Sequence, residues 1–232
     1  MRTELVYLED SYLKELEAEV VDIGEGVILD RTIFYAASGG QPSDTGYMVG
    51  NGRYEVKDVE KREEIFHITE PLPQLGEKVK LFIDWEKRYR YMRHHTAIHV
   101  VSAIAMKEFN AMITGNQIYY EYGRIDFNFR EWNPDVTKRL EDRVNEELGK
   151  NHEVTWFTMK REEILGVQGS IKVDPRLIPD SPELRVVKIG DIDMQPDGGT
   201  HVRNTSEVGS INIYKTENKG KNNKRMYFTV QA

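Results

Sequence analysis

His95 and His99 stand four positions apart, with Thr96, Ala97 and Ile98 between them. On a helix that spacing projects both imidazoles from one face, where they can grip a single metal ion. About a hundred residues downstream, Asp197-Gly-Gly-Thr-His201 sets a carboxylate and an imidazole on either side of two glycines. Glycine there lets the backbone fold tightly enough to bring both side chains to a common point. His95, His99, Asp197 and His201 together offer three ring nitrogens and a carboxylate oxygen, a tetrahedral set for Zn²⁺. The bland alternative is a hydrogen-bonded or solvated pair of helical histidines. Peptide hydrolysis of the H-E-x-x-H type is disfavoured, because Thr96 stands where that chemistry needs its general-base glutamate.

Such a centre has to be built from histidine and carboxylate, since the chain contains no cysteine, and the same absence excludes disulfides. Its 232 residues suffice for one large domain or two ordinary ones, and 39% hydrophobic with 31% charged residues is the balance of a soluble globular protein. The sequence has no apolar run of about 18 residues and no charged-then-apolar leader, so the expectation is a cytoplasmic protein with no membrane span. A net charge of −7 argues against non-specific coating of nucleic acid, yet leaves room for local basic surfaces. Lys87, Arg88, Arg90 and Arg93 interleave with Tyr89 and Tyr91 ahead of the histidine pair. Lys215, Lys219, Lys221, Lys224 and Arg225 crowd a Gly/Asn-rich turn near the end. Ordinary solvated faces are the competing account of both runs.

The elements that must position these residues fall into two groups. Glu19–Ile23 and Val27–Leu29 read as a hairpin around Gly24-Glu-Gly26, followed by strands at Gly46–Val49, Arg53–Val59, Ile65–Ile68 and Lys78–Ile83. Short, regularly spaced strands with Gly and Pro punctuation predict a small β-barrel. Between them, Gly39-Gly40-Gln41 is either a tight turn with dihedrals other residues avoid or a loop whose backbone approaches a ligand. Asp84 caps a helix predicted over Trp85–Phe109, with Ile98, Val101, Ala105 and Phe109 forming one buried stripe and the histidines at its edge. The domains expected are 1–86 and 87–232.

Beyond the helix, strands are expected at Ile118–Tyr122 and Arg124–Phe129, then a second helix with Asn133 as N-cap, Pro134 at N1 and Gly149 as stop. Glu153–Met159 reads as a strand, Arg161–Leu165 as a short helix, Pro175, Pro179 and Pro182 as a surface loop, and Leu184–Ile189 as a buried strand leading into Asp197. A hairpin, Ser210–Lys215 and Arg225–Val230, closes the chain around the basic turn. Helices and strands in mixed order, without βαβ alternation, indicate an α+β fold.

The order of motifs carries a resemblance. Leu29-Asp-Arg-Thr-Ile-Phe-Tyr35, Gly39-Gly-Gln41, Asp44-Thr-Gly46, His95-Thr-Ala-Ile-His99, Arg124-Ile-Asp-Phe127, Gly198-Gly-Thr-His-Val202 and Thr205-Ser-Glu-Val-Gly209 occur in sequence. Nearly the whole chain resembles the editing region of alanyl-tRNA synthetase and, having no aminoacylation domain, the free-standing AlaX proteins of medium length that keep a glycine-rich N-terminal domain. The resemblance implies a trans-editing hydrolase of tRNA for alanine mischarged with serine, with glycine as a second candidate. It implies metal ligation by His95, His99 and His201, with Asp197 where the family pattern CGGTH has cysteine. That exchange of thiolate for carboxylate leaves zinc or another divalent ion open. It further implies a catalytic role around His95, His99 and Thr96, and substrate contacts at Gly39, Gly40, Gln41 and Thr200. Thr114 is the candidate partner for the serine hydroxyl, with Thr96 as a second choice. Arg90, Arg93, Lys221 and Arg225 would meet tRNA, so charge reversal at Lys221 and Arg225 is expected to raise KM. A tRNA-binding protein without turnover and a metal-dependent hydrolase of small esters or amides are the alternatives.

Overall fold

A computed structural model describes residues 3–167, 178, 180–220 and 223–231. The chain divides into two compact units, residues 1–91 and 92–232. In the first, the strands are β1 (Glu4–Leu5), β2 (Glu15–Ile23), β3 (Val27–Leu29), β4 (Arg31–Thr32), β5 (Gly46–Val49), β6 (Arg53–Lys61), β7 (Ile65–Glu70) and β8 (Lys78–Ile83). Six of them close a barrel in the order β2-β3-β7-β6-β5-β8, while β1 and β4 pair in parallel. Alternation writes the core: Val79, Leu81 and Ile83 of β8 and Ala18 and Val20 of β2 point inward. On β6 the buried set shifts from Tyr54 and Val56 to Val59, because a register irregularity between Val56 and Asp58 moves the inward phase by one residue.

The glycine-rich segment is a turn hung on a buried ion pair. Gly39 and Gly40 take φ of 58° and 88°, and Ser38 and Gln41 exchange both backbone hydrogen bonds across them. A left-handed pair of this kind suits glycine and suits little else. Gly39 is exposed, whereas Gln41 is buried. Behind the turn, fully buried Arg88 forks onto the carboxylate of buried Asp44 and donates to the carbonyls of Ser11 (3.0 Å) and Ile33 (2.6 Å). Asp44 also accepts from the Tyr35 N–H at 2.7 Å. Arg88 is therefore no part of a basic surface, contrary to its place in the Lys87–Arg93 run.

His67 is the other polar group inside the barrel. Its Nδ1–H donates to the Val27 carbonyl at 3.0 Å, leaving Nε2 to accept from the Thr32 hydroxyl at 2.8 Å. Burial pushes its pKa down to about 4, so the folded protein holds it neutral. An unfolded chain protonates it below about 6.5. Stability from this group is thus complete above pH 6.5 and lost as pH falls toward 4, roughly 3 kcal/mol over the window. Urea midpoints of wild type and His67→Asn taken across that range should converge on acidification; parallel curves would remove His67 from the acid sensitivity.

The helix α1 (Trp85–Phe109) begins on Asp84, whose side chain accepts from the Lys87 N–H at 3.2 Å. The division between the units falls within it. From Tyr91 to Ala105 nearly every side chain is buried, His94, His95 and His99 included, so the single apolar stripe expected here is replaced by burial around the whole circumference.

The second unit contains β9 (Ile113–Ile118), β10 (Gly123–Phe127), α2 (Pro134–Leu148), β11 (Val154–Lys160), α3 (Arg161–Gly166), β12 (Glu183–Ile189), β13 (Asp193–Pro196), β14 (Ser210–Gly220) and β15 (Asn223–Gln231). They form two antiparallel sheets, β14-β15-β10-β9 and β11-β12-β13. Helix α2 starts as its sequence requires, with the Asn133 side chain accepting from the Val136 N–H and Pro134 in the first turn. The strand expected at Ile118–Tyr122 lies earlier, at Ile113–Ile118. Tyr119 to Tyr122 make the turn instead, closed by the Tyr119 N–H on the Tyr122 carbonyl. The terminal hairpin is longer than expected, so Lys215, Lys219, Lys224 and Arg225 lie on strands. Pro182 is exposed; Pro175, Pro179 and Lys221 lie outside the described residues. Among the described residues no helix is long and apolar enough to cross a membrane.

Candidate metal centre

Helix α1 presents His95 and His99 on successive turns, their ring centroids 5.3 Å apart. The loop after β13 returns to them. His201 brings its ring within 4.4 Å of His95 and 4.6 Å of His99. Asp197 faces all three through Nε2, at 3.4 Å for His95, 3.7 Å for His99 and 3.0 Å for His201. One donor atom from each of the four residues lies within 4.8 Å of every other. Donors held about 2.1 Å from a tetrahedral ion sit roughly 3.4 Å apart, a spacing that the carboxylate–imidazole distances of 3.0, 3.4 and 3.7 Å bracket. The three imidazoles are almost wholly enclosed, while the Asp197 side chain is 20% exposed, which places the open side of the centre at the carboxylate.

Partners on the far nitrogens orient the rings. Asp193 Oδ2 accepts from His99 Nδ1–H at 2.9 Å, and Gln195 Nε2 lies 3.0 Å from both groups. A carboxylate can only accept, so the proton sits on Nδ1 and the Nε2 lone pair faces inward. Thr96 Oγ1 lies 3.1 Å from His201 Nδ1 and accepts from the Val202 N–H at 3.3 Å. Thr96 is buried behind His201 and holds the ring, so it serves as a positioning residue. Burial, then the neighbouring His95, pushes His201 well below its ordinary pKa, keeping it neutral and able to donate electrons to a cation. Burial pulls Asp197 upward, but His95 first, and then His201 and His99, outweigh it and hold the carboxyl well below its usual range.

Gly199 is required for space. A Cβ there would stand 2.1 Å from His95 Cε1 and 2.4 Å from its Nδ1, while the Gly199 N–H donates to Asp197 Oδ1 at 2.6 Å. Gly199→Ala should displace His95 and weaken metal retention at least as much as loss of an outer partner, about 10–100-fold. Competition with a chelating dye reads this directly, and an unchanged affinity would show that the His95 ring is not held in this position.

The remaining expected residues are distributed over both units. Thr200 is buried between Gly199 and His201, and Thr114 is exposed on β9. Gly39, Gly40 and Gln41 belong to the first unit. Arg90 is half-buried, 3.6 Å from Glu86, and Arg93 donates to the Val208 carbonyl at 2.8 Å. Arg225 forms a two-bond pair with Asp126, its cross-strand neighbour, at 2.7 and 2.8 Å. Asp193 and Gln195 were not anticipated. The signal available for them was alternation: 193, 195 and 197 are every second residue on the approach to His201.

Two family models match this chain, and one of them spans the loop that carries Asp197 and His201. Residues 184–227 match the "Threonyl and Alanyl tRNA synthetase second additional domain", and residues 4–87 match "tRNA synthetases class II (A)". Relatives sharpen this. The chain is 44% identical over 236 residues to alanyl-tRNA editing protein AlaX-M of Saccharolobus solfataricus, covering 99% of each. It is 39% identical over 241 residues to AlaX-M of Methanosarcina barkeri, covering 98% of this chain and 99% of that one. It is 37% identical over 231 residues to alanine–tRNA ligase of Archaeoglobus fulgidus, covering 93% of this chain and 24% of the ligase. The chain belongs to the alanyl-tRNA editing protein family, with AlaX-M as the type it matches end to end.

Proposed function

We propose that this chain is a trans-editing hydrolase that removes serine, and as a second substrate glycine, from mischarged tRNA for alanine. The observation that carries the reading is the convergence of His95, His99, Asp197 and His201, each imidazole turning Nε2 to the carboxylate. Full-length similarity to proteins named for alanyl-tRNA editing supports the substrate class.

These four residues would hold one divalent ion, zinc or a metal of similar preference. Such an ion supplies Lewis acidity toward an ester carbonyl or a water. The protein's own part is placement. Asp193 and Gln195 fix His99, Thr96 fixes His201, and Gly199 lets the loop pass against His95. An aminoacyl ester is already activated, so a positioned water suffices and no covalent nucleophile is needed. Discrimination against alanine calls for a buried polar partner that the serine hydroxyl satisfies and alanine leaves unpaired. Thr200 is fully buried beside His201, whereas Thr114 is exposed.

The test is hydrolysis of serine-, glycine- and alanine-charged tRNA for alanine by native, chelated and metal-restored protein. Selective loss of serine, abolished by chelation and recovered with zinc, is the expected result. Activity indifferent to chelation would remove the ion from the mechanism, and inertness of folded, metal-replete protein on all three would overturn the reading.

A further inference from the structure

Tyrosines gather on the sheet β14-β15-β10-β9. Met226 and Phe228 of β15 are fully buried, so Tyr227 between them points to the opposite face. Tyr122 lies 6.0 Å from it and Tyr214 6.3 Å, centroid to centroid, while Tyr119 stacks on Tyr122 at 4.5 Å with planes 25° apart. Four rings thus form one surface, and it is open: Tyr119 is 38% and Tyr214 50% exposed. Tyr214 continues into a groove of about 480 Å³ whose walls include Trp132, Lys138 and Lys215.

The charge around these rings runs against that of the chain. Strands β10, β14 and β15 carry Arg124, Lys215, Lys219 and Arg225 against only Asp126 and Glu217, in a protein of net charge −7, while Lys224 is buried in phase with Met226 and Phe228. Arg225 is taken by Asp126, and Lys215 and Lys219 share Glu217. Arg124 is different. It is the cross-strand partner of Tyr227, makes no ion pair among the described residues, and has a buried Nε without a hydrogen-bond partner. Lys215 Nζ stands 4.9 Å over the Tyr227 ring. Flat, exposed aromatic rings beside an uncompensated guanidinium suit a ligand that is itself a row of flat rings joined by anions.

We infer that this face binds an unpaired stretch of the tRNA, with bases stacking on Tyr119 and Tyr214 and a phosphate taken by Arg124. The inference rests on the editing reading only for which RNA is bound. Stacking needs the ring and not the hydroxyl, which separates it from a hydrogen-bonding role.

The experiment uses full-length, metal-replete protein and uncharged tRNA for alanine, read by fluorescence anisotropy at several salt concentrations. KM and kcat for the serine-charged form are measured alongside. Tyr119→Ala and Tyr214→Ala should each weaken binding about tenfold and raise KM in proportion with kcat unchanged, while Tyr119→Phe and Tyr214→Phe behave as wild type. Arg124→Gln, which removes no ring, should lower the salt slope by about one. Binding unaltered in both alanine variants and in Arg124→Gln overturns the inference. Equal losses in the phenylalanine variants overturn the stacking. Concentration-dependent self-association that the alanine variants abolish, with tRNA binding intact, would assign the face to a second copy of the chain instead. Wild-type protein that binds through this face but hydrolyses no ester would sink the editing reading and keep the surface; hydrolysis with unaltered binding in the variants would do the reverse.

Discussion

Arg88→Met should destabilise the first unit by about 3–5 kcal/mol, because it leaves the Asp44 carboxylate buried without its counter-charge. The guanidinium also serves the Ser11 and Ile33 carbonyls, so one substitution strands several acceptors at once. Arg88→Met with Asp44→Asn should recover part of the loss, since an amide oxygen at 44 can still accept from the Tyr35 N–H while carrying no charge. Urea unfolding of the two singles and the double closes a mutant cycle. A single-variant loss under about 1 kcal/mol would mean that Asp44 finds another partner or takes up a proton.

Asp197→Ala should give a folded protein that loses its divalent ion, with affinity falling by more than the roughly 10–100-fold cost of removing an outer-shell partner. The carboxylate faces three imidazoles and is the sole anion in the donor set, so its loss removes both a ligand and the charge that favours the cation. Asp197→Cys should behave oppositely. A thiolate at this position completes a softer set, and the protein should retain zinc in preference to manganese or cobalt more sharply than wild type does. Metal analysis after dialysis against equal concentrations of the three ions tests both variants. Unchanged metal content and deacylation in Asp197→Ala would exclude the carboxylate as a ligand.

Local rules made much of this molecule legible in its sequence, and longer-range packing hid the rest. Trp85–Phe109 could be read from the Asp84 cap and the change of period, and the barrel strands from glycine and proline at their ends. His95, His99, Asp197 and His201 were recognisable because helical spacing and paired glycines are short-range features. Aromatic residues favour strands, so Tyr119 to Tyr122 read as the end of one in the sequence, yet Tyr119 and Tyr122 stack on each other across a turn. Arg88 looked like one cation in a solvated run. Only the fold reveals that its position on α1 meets Asp44, 44 residues earlier. Asp193 and Gln195, which orient His99, occupy alternate positions ahead of Asp197, but a strand of 4 residues carries that alternation too briefly to single them out without the fold.

The oxygen donor at 197 also bears on chemical durability. A thiolate in that position could be driven by peroxide through sulfenic to sulfinic and sulfonic acids, the later steps without return. Asp197 has no such ladder to climb, and a chain without a single cysteine offers oxidants no thiol anywhere. A metal centre closed by this carboxylate would therefore keep that donor under peroxide, which would oxidise one closed by sulfur.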